Sequence, residues 1–169
     1  VNDTPIVEDI QAETDEDVST SILLISSDID GDDLVYSINQ TSLDGSIILD
    51  GSLATFSPDL NFNGSTSFTY TVTDGFLTSD AGVVTIAVNA INDAPISELV
   101  TSQTDEDSSV DITLVASDVD SSELTYLLDT SSSHGSVSII DDTATFTPDN
   151  NFNGTTTFTY LVTDGELTS

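Results

Sequence analysis

Thr14-Asp15-Glu16-Asp17 returns as Thr104-Asp105-Glu106-Asp107, Asp28-x-Asp30 as Asp118-x-Asp120, and Phe62-Asn63-Gly64 as Phe152-Asn153-Gly154, each displaced by 90 residues. Laying residues 2–79 on 92–169 without a gap gives 40 identities in 78 positions. A chain of this kind must fold twice into one module, and each copy is long enough to bury a modest core. The copies are read as residues 1–90 and 91–169. Acidic clusters recur together with the apolar pattern, so the carboxylates are expected at fixed places in a repeated fold.

Within a copy, Val, Ile, Phe, Tyr and Thr alternate with polar residues in short runs separated by turn residues. That pattern predicts an all-β, two-sheet Greek-key sandwich of seven strands. The expected strands are residues 6–13, 19–26, a third carrying Leu34, Tyr36 and Ile38, then 46–49 and 52–56. The last two form a hairpin turning through Asp50-Gly51. A sixth strand points Phe68, Tyr70 and Val72 inward and Thr69, Thr71 and Thr73 outward. A seventh is lined by Val84, Ile86 and Val88. The second copy reaches Ser169 before an equivalent of this last strand, so it is expected to lack one. Both ends of the sequence fall inside repeats, and the expectation is a segment of a longer array.

Charge narrows the function. The sequence holds 31 Asp plus Glu, one His and no Lys or Arg, for a formal net charge of −31. Such imbalance often signals disorder, but 37% of the residues are hydrophobic and they alternate. The compact state must therefore overcome self-repulsion without any side-chain cation of its own. Nucleic acid and anionic membranes have no basic surface to meet. No Cys is present for a disulfide or a zinc-thiolate site, and no Lys for an isopeptide cross-link. No apolar run approaches the ~20 residues of a membrane span.

Successive strands reverse direction, so alternate loops gather at opposite ends of a sandwich. One end of the first copy collects Asp3, Asp28, Asp30 and Asp74, and the other Glu16 and Asp17. Stacked end to end, the base of one copy faces the top of the next, which adds Asn92, Asp93, Asp118, Asp120 and Asp164. Crowded carboxylates raise one another's pKa or push apart unless a cation intervenes. Calcium takes 6–8 oxygen ligands in flexible geometry, whereas magnesium demands a stricter octahedron. Imidazole and thiolate donors for zinc are lacking, so Ca2+ is the expected ion.

The order Asp-Glu-Asp, Asp-x-Asp, Thr-Asp-Gly and Asn-Asp-Ala-Pro resembles the cadherin fold, and more closely the bacterial cadherin-like tandem repeats of large surface adhesins. The resemblance covers the whole chain, and its four motifs occur in order. It implies calcium held between successive domains, with Glu16 as the base acid, Asn92 and Asp93 as the linker, and Asp118, Asp120 and Asp164 as the receiving top. The linker is one residue shorter than in cadherins and lacks their second Asn. Asn61 and Asn63 stand where cadherins carry an acidic pair, so fewer than three ions per junction are expected.

Other readings weigh less. An EF-hand loop starting at Asp28 needs Gly at its sixth position and Glu at its twelfth, where this chain has Asp33 and Asn39. Solvated, metal-free loops are the ordinary alternative for acidic runs. His134 stands where the first copy has Asp44, which fits a turn and not catalysis. Paired carboxylates such as Asp32 and Asp33 lie on loop ends, and no nucleophile motif accompanies them. No enzyme is expected. Phe62 and Phe152 read as plugs for the base of each sandwich, with sugar stacking the rival. Glycosylation acceptor patterns begin at Asn2, Asn39, Asn63 and Asn153.

The expected function is thus a calcium-rigidified structural extender of a secreted or cell-surface adhesin or filament, whose partners are adjacent repeats of the same protein. Two alternatives stay open. One is a calcium-dependent carbohydrate- or cell-binding module. The other is a filament subunit polymerising by strand donation to neighbouring identical chains.

Overall fold

In the first repeat an extended strand runs parallel to the last one and antiparallel partners follow on both sides of the core. The computed structural model describes residues 1–40 and 43–169, so Thr41 of the Asn39-Gln40-Thr41 pattern lies outside the described residues. The chain divides into two compact units, Val1–Ile91 and Asn92–Ser169.

Unit 1 contains β1 (Ile6–Val7), β2 (Ile10–Asp15), β3 (Thr20–Leu23), β4 (Ser26–Ser27), β5 (Val35–Asn39), β6 (Gly45–Asp50), β7 (Leu53–Pro58), β8 (Gly64–Thr73) and β9 (Gly82–Asn89). One sheet has the order β2-β9-β8-β5 and the other β3-β7-β6, with β1 and β4 paired beside them. Among the described residues, only β2 and β9 pair in parallel, from Ile10 opposite Val84 to Asp15 opposite Asn89. Alternation along the strands turns Phe68, Tyr70 and Val72 of β8 and Val84, Ile86 and Val88 of β9 into one core with Ile22, Ile47, Ala54 and Phe56. Burying a large apolar side chain in this way contributes roughly 1.5–3 kcal/mol.

The seven expected strands are present, but two are broken. Residues 6–13 divide at Glu8-Asp9, where β1 pairs with β4 and β2 crosses to the other sheet. The second strand divides at Leu24-Ile25. A buried tyrosine explains both breaks. The Tyr70 hydroxyl lies 2.7 Å from the carbonyls of Glu8 and Ile25 and donates to them, while the Glu8 N–H reaches it at 3.3 Å. These backbone groups are satisfied at the point where both strands leave their ladders. Burial pushes the Tyr70 phenol above its ordinary value, partly offset by the Glu8 and Ile25 backbone bonds.

The hairpin turn also falls one residue later than expected. Asp50 pairs with Leu53, so the turn residues are Gly51 and Ser52, with Gly51 at φ 59°. The opening of β6 is tighter. A Cβ on Gly45, at φ +152°, would meet the Ser57 carbonyl oxygen and the Phe56 ring.

Unit 2 contains β10 (Ile96–Ser97), β11 (Val110–Thr113), β12 (Ala116–Ser117), β13 (Thr125–Thr130), β14 (Gly135–Ile140), β15 (Thr143–Pro148) and β16 (Thr159–Thr163). Its ladders are β11-β15-β14, β13-β16 and β10-β12. Leu114, Ala144, Phe146 and Val162 are buried. Tyr160 repeats the tyrosine contact, donating to the carbonyls of Glu98 at 2.6 Å and Val115 at 2.9 Å. Among the described residues, no strand is assigned to 100–105, the counterpart of β2, or to 154–158, the first half of the β8 counterpart.

Candidate metal centre

In both units the acidic loops are built by the same short-range bonds. Asp28 Oδ1 accepts the N–H groups of Asp30 at 2.9 Å and Gly31 at 3.1 Å, an Asx-type turn that curls the loop around its carboxylate. Asp118 Oδ1 does the same for Asp120 at 2.8 Å and Ser121 at 2.7 Å. Asp74 Oδ1 accepts Phe76 and Leu77, both at 2.7 Å. Asp164 Oδ1 accepts Glu166 and Leu167 at the same distance.

The residues leading into each unit are then fastened to these loops. Asp30 Oδ2 accepts the Asp3 N–H at 2.7 Å, and Asn2 Nδ2 donates to Asp74 Oδ2 at 2.9 Å. In unit 2, Asp120 Oδ2 accepts the Asp93 N–H at 2.7 Å and Asn92 Nδ2 donates to Asp164 Oδ2 at 2.6 Å. Two adjacent residues thus hold two separate acidic loops together. The bonds also stabilise the charged carboxylates. The Leu77 N–H, then Asn2 and the Phe76 N–H, hold Asp74 below the ordinary aspartate value of 3.8. For Asp164 the Asn92 amide is the largest cause, followed by Leu167 and Glu166.

What is left over is the second oxygen of the aspartate that opens each Asp-x-Asp loop. Asp28 Oδ2 and Asp118 Oδ2 are buried and have no hydrogen-bond partner. Carboxylate oxygens of Asp28, Asp30 and Asp32 lie within 4.8 Å of one another. Oxygens sharing one calcium at 2.3–2.6 Å stand at most about 5 Å apart. The cluster therefore matches a calcium donor set in spacing and chemistry.

Glu16 and Asp17 part company. Glu16 is 4% exposed; its Oε1 accepts the Ile91 N–H at 2.6 Å, and Oε2 is buried without a hydrogen-bond partner. Asp17, at φ 58°, is exposed and accepts the Asn61 N–H at 3.0 Å, bracing the loop before β8. Asp107 and Asn151 repeat that brace at 2.8 Å. Of the predicted residues, hydrogen bonds join Asp3 to Asp30 in unit 1, and Asn92 to Asp164 and Asp93 to Asp120 in unit 2; among the described residues, the carboxylates that lie close together as a group of three are Asp28, Asp30 and Asp32.

Sequence reasoning missed Asp32 and Asn2. Asp32 had a signal, the alternate spacing Asp28-x-Asp30-x-Asp32, but its counterpart is Ser122. Asn2 is the equivalent of Asn92 one repeat earlier and could have been found from that alone. Phe62 packs against the unit 1 core, as a plug does. The ring of His134 stacks on Phe152 at 4.5 Å and 11°, and its carbonyl accepts the Asp149 N–H at 3.3 Å, as that of Asp44 does for Asp59.

Comparisons with known proteins agree with this architecture. Human mucin-like protocadherin EC1-2 superposes with TM-score 0.53 at 18% identity, covering 98% of this chain and 93% of that one. Protocadherin gamma B2 extracellular cadherin domains 1–5 give TM-score 0.53 at 16% identity, over 96% of this chain and 36% of that one. The human desmocollin-1 ectodomain gives 0.50 at 17% identity, with 95% and 34% covered, so the chain spans about a third of that ectodomain. At these identities the likeness is one of fold. No curated protein matches the chain. No helix among the described residues is long and apolar enough to cross a membrane. A model of the bacterial Ig domain matches residues 2–87 and again 92–169, and the chain belongs to that family as two tandem copies.

Proposed function

We propose that the chain is a calcium-rigidified extender of a secreted or cell-surface adhesin or filament. Tandem bacterial Ig domains are structural modules whose partners are the adjacent domains of the same protein. The calcium reading rests on one observation: Glu16 Oε2, Asp28 Oδ2 and Asp118 Oδ2 are buried with no hydrogen bond, in a chain with no Lys or Arg to partner them. A buried carboxylate oxygen left without a donor is costly, and a hard divalent cation removes that cost.

Asp28, Asp30, Asp32, Asp3 and Asp74 would hold the ion in the first repeat, and Asp118, Asp120, Asp164, Asn92 and Asp93 in the second. Glu16 is the base acid that the cadherin resemblance assigns, and Asp17 is the neighbouring acid. Bound calcium would neutralise local charge and fix the entering segment against the Asp-x-Asp loop. Extracellular calcium modules bind at ~10⁻⁴–10⁻³ M. At ten times the dissociation constant each site adds about 1.4 kcal/mol to stability, a gain that accumulates along an array.

Thermal unfolding in chelator, then across a calcium titration with magnesium as control, tests the proposal. A calcium-specific rise in Tm supports it. An unchanged Tm would leave solvated acidic loops and overturn it.

A further inference from the structure

The two Asp-x-Asp loops part at the positions that follow them, Gly31 and Asp32 in unit 1 against Ser121 and Ser122 in unit 2. Gly31 takes a left-handed φ of +78°, where a side chain is strained. Asp32, the next residue, joins Asp28 and Asp30, with carboxylate oxygens of all three within 4.8 Å of one another. Ser121 does not adopt a positive φ. Its hydroxyl accepts the Glu123 N–H and donates to the Glu123 carbonyl, both at 3.2 Å, so this loop is tied forward to Glu123. Among the described residues, no such triad of acids forms in unit 2. Yet both loops leave the same atom over, since Asp28 Oδ2 and Asp118 Oδ2 are each buried without a hydrogen bond.

From this difference we infer that the two repeats take up calcium unequally. Asp32, placed by Gly31, makes the unit 1 site the tighter, and that site fills first. The inference rests on the calcium reading above and adds an order of filling to it. Affinity at an oxygen site for calcium rises with the number of charged ligands and with the rigidity of the loop that carries them. The other residues named for the two sites correspond one to one: Asp3 with Asp93, Asp74 with Asp164, Asn2 with Asn92. The contrast therefore falls on Asp32, whose counterpart Ser122 carries no charge. Without the ion, the same triad is unfavourable, because like charges at this separation repel. Asp32 thus acts in opposite directions in chelator and in calcium, which a purely structural residue does not do. As calcium rises, the segment entering unit 1 is fixed before the segment entering unit 2, and the chain stiffens in steps.

Amide NMR of the whole chain through a calcium titration reads both sites at once. The reporters are Gly31 and Ser121, whose N–H groups donate to Asp28 and Asp118. Gly31 should reach half-saturation at about tenfold less calcium than Ser121. Asp32→Ser should bring the two midpoints within about threefold, and Ser121→Gly combined with Ser122→Asp should lower the midpoint at position 121 about tenfold. Thermal melts of Asp32→Ser add the sign: no lower than the parent in chelator, lower than the parent in calcium. Equal midpoints in the parent, or a Gly31 midpoint unmoved by Asp32→Ser, overturn the inference and leave the calcium reading standing. So does a Tm below the parent's in chelator, which would make Asp32 a residue of the fold. Calcium shifts at neither amide would overturn both readings.

Discussion

Glu16 Oε1 accepts the backbone N–H of Ile91 at 2.6 Å, across 75 positions of sequence. A buried acid near the end of β2 therefore grips the residue just beyond β9, while its other oxygen has no hydrogen bond. One oxygen serves the fold and the other is available to a ligand, and the two roles can be separated by mutation.

Glu16→Gln keeps the acceptor for Ile91 and removes the charge. In chelator its unfolding free energy should stay within about 1 kcal/mol of the parent's, because the hydrogen bond from the Ile91 N–H is kept. In calcium it should show a smaller rise than the parent. Glu16→Ala should lower stability by about 1–3 kcal/mol even in chelator, because the Ile91 N–H loses its partner. Calorimetry of the three proteins with and without calcium makes the comparison.

Tyr70→Phe leaves the ring in place and strips the hydroxyl from the carbonyls of Glu8 and Ile25. A loss of about 1–3 kcal/mol is expected, the cost of buried acceptors left unmade. Tyr160→Phe should cost less. Tyr160 is half-buried, whereas Tyr70 is 1% exposed, and water can replace the lost bond at the more open site. Urea unfolding followed by amide exchange, repeat by repeat, separates the two effects.

Gly45→Ala tests the entry to β6. The added methyl meets the Ser57 carbonyl and the Phe56 ring at a positive φ, so a destabilisation of roughly 2–4 kcal/mol is expected. Gly51→Ala in the neighbouring hairpin meets nothing within 4 Å. Its cost comes only from the left-handed backbone and should be near 1 kcal/mol. Paired urea melts of the two variants decide whether contact or conformation matters more.

The pH dependence follows from Asp74 and Asp164. Both carboxyls lie below their ordinary value of 3.8 in the folded chain. Their contribution to stability is therefore complete above that value and is lost as pH falls through their lower folded values. Carbon-detected NMR titration should find both groups titrating below 3.8. Asn92→Ala should raise Asp164 more than Asn2→Ala raises Asp74. Asn92 is the leading cause for Asp164, while the Leu77 N–H leads for Asp74.

Much of this was legible from residues alone because period-2 alternation and a gapless repeat are strong signals. The inward set Phe68, Tyr70, Val72, Val84, Ile86 and Val88 is core as read, since each strand has one dry face. The breaks at Glu8-Asp9 and Leu24-Ile25 were not legible. They depend on a hydroxyl arriving from 45 and 62 residues away, which leaves no local mark. Asp17 looked like an equal neighbour of Glu16 because sequence ranks adjacent acids alike. Burial separates them: one turns inward to Ile91, and the other caps a turn at Asn61. The lack of strand structure at 100–105 and 154–158 was not legible either. A strand needs a neighbour's hydrogen bonds, and pattern alone does not supply them.

The parallel pairing of β2 with β9 gives the first repeat a mechanical axis. The chain enters β2 at Ile10, at one end of the ladder, and leaves β9 at Asn89, at the other, so tension applied to the two ends of the repeat slides one strand along the other. The six residues of β2, from Ile10 to Asp15, then carry the load in shear, together, instead of peeling away one bond at a time. In a protein strung between two anchors, that one ladder decides how much pull the first repeat withstands before it lengthens.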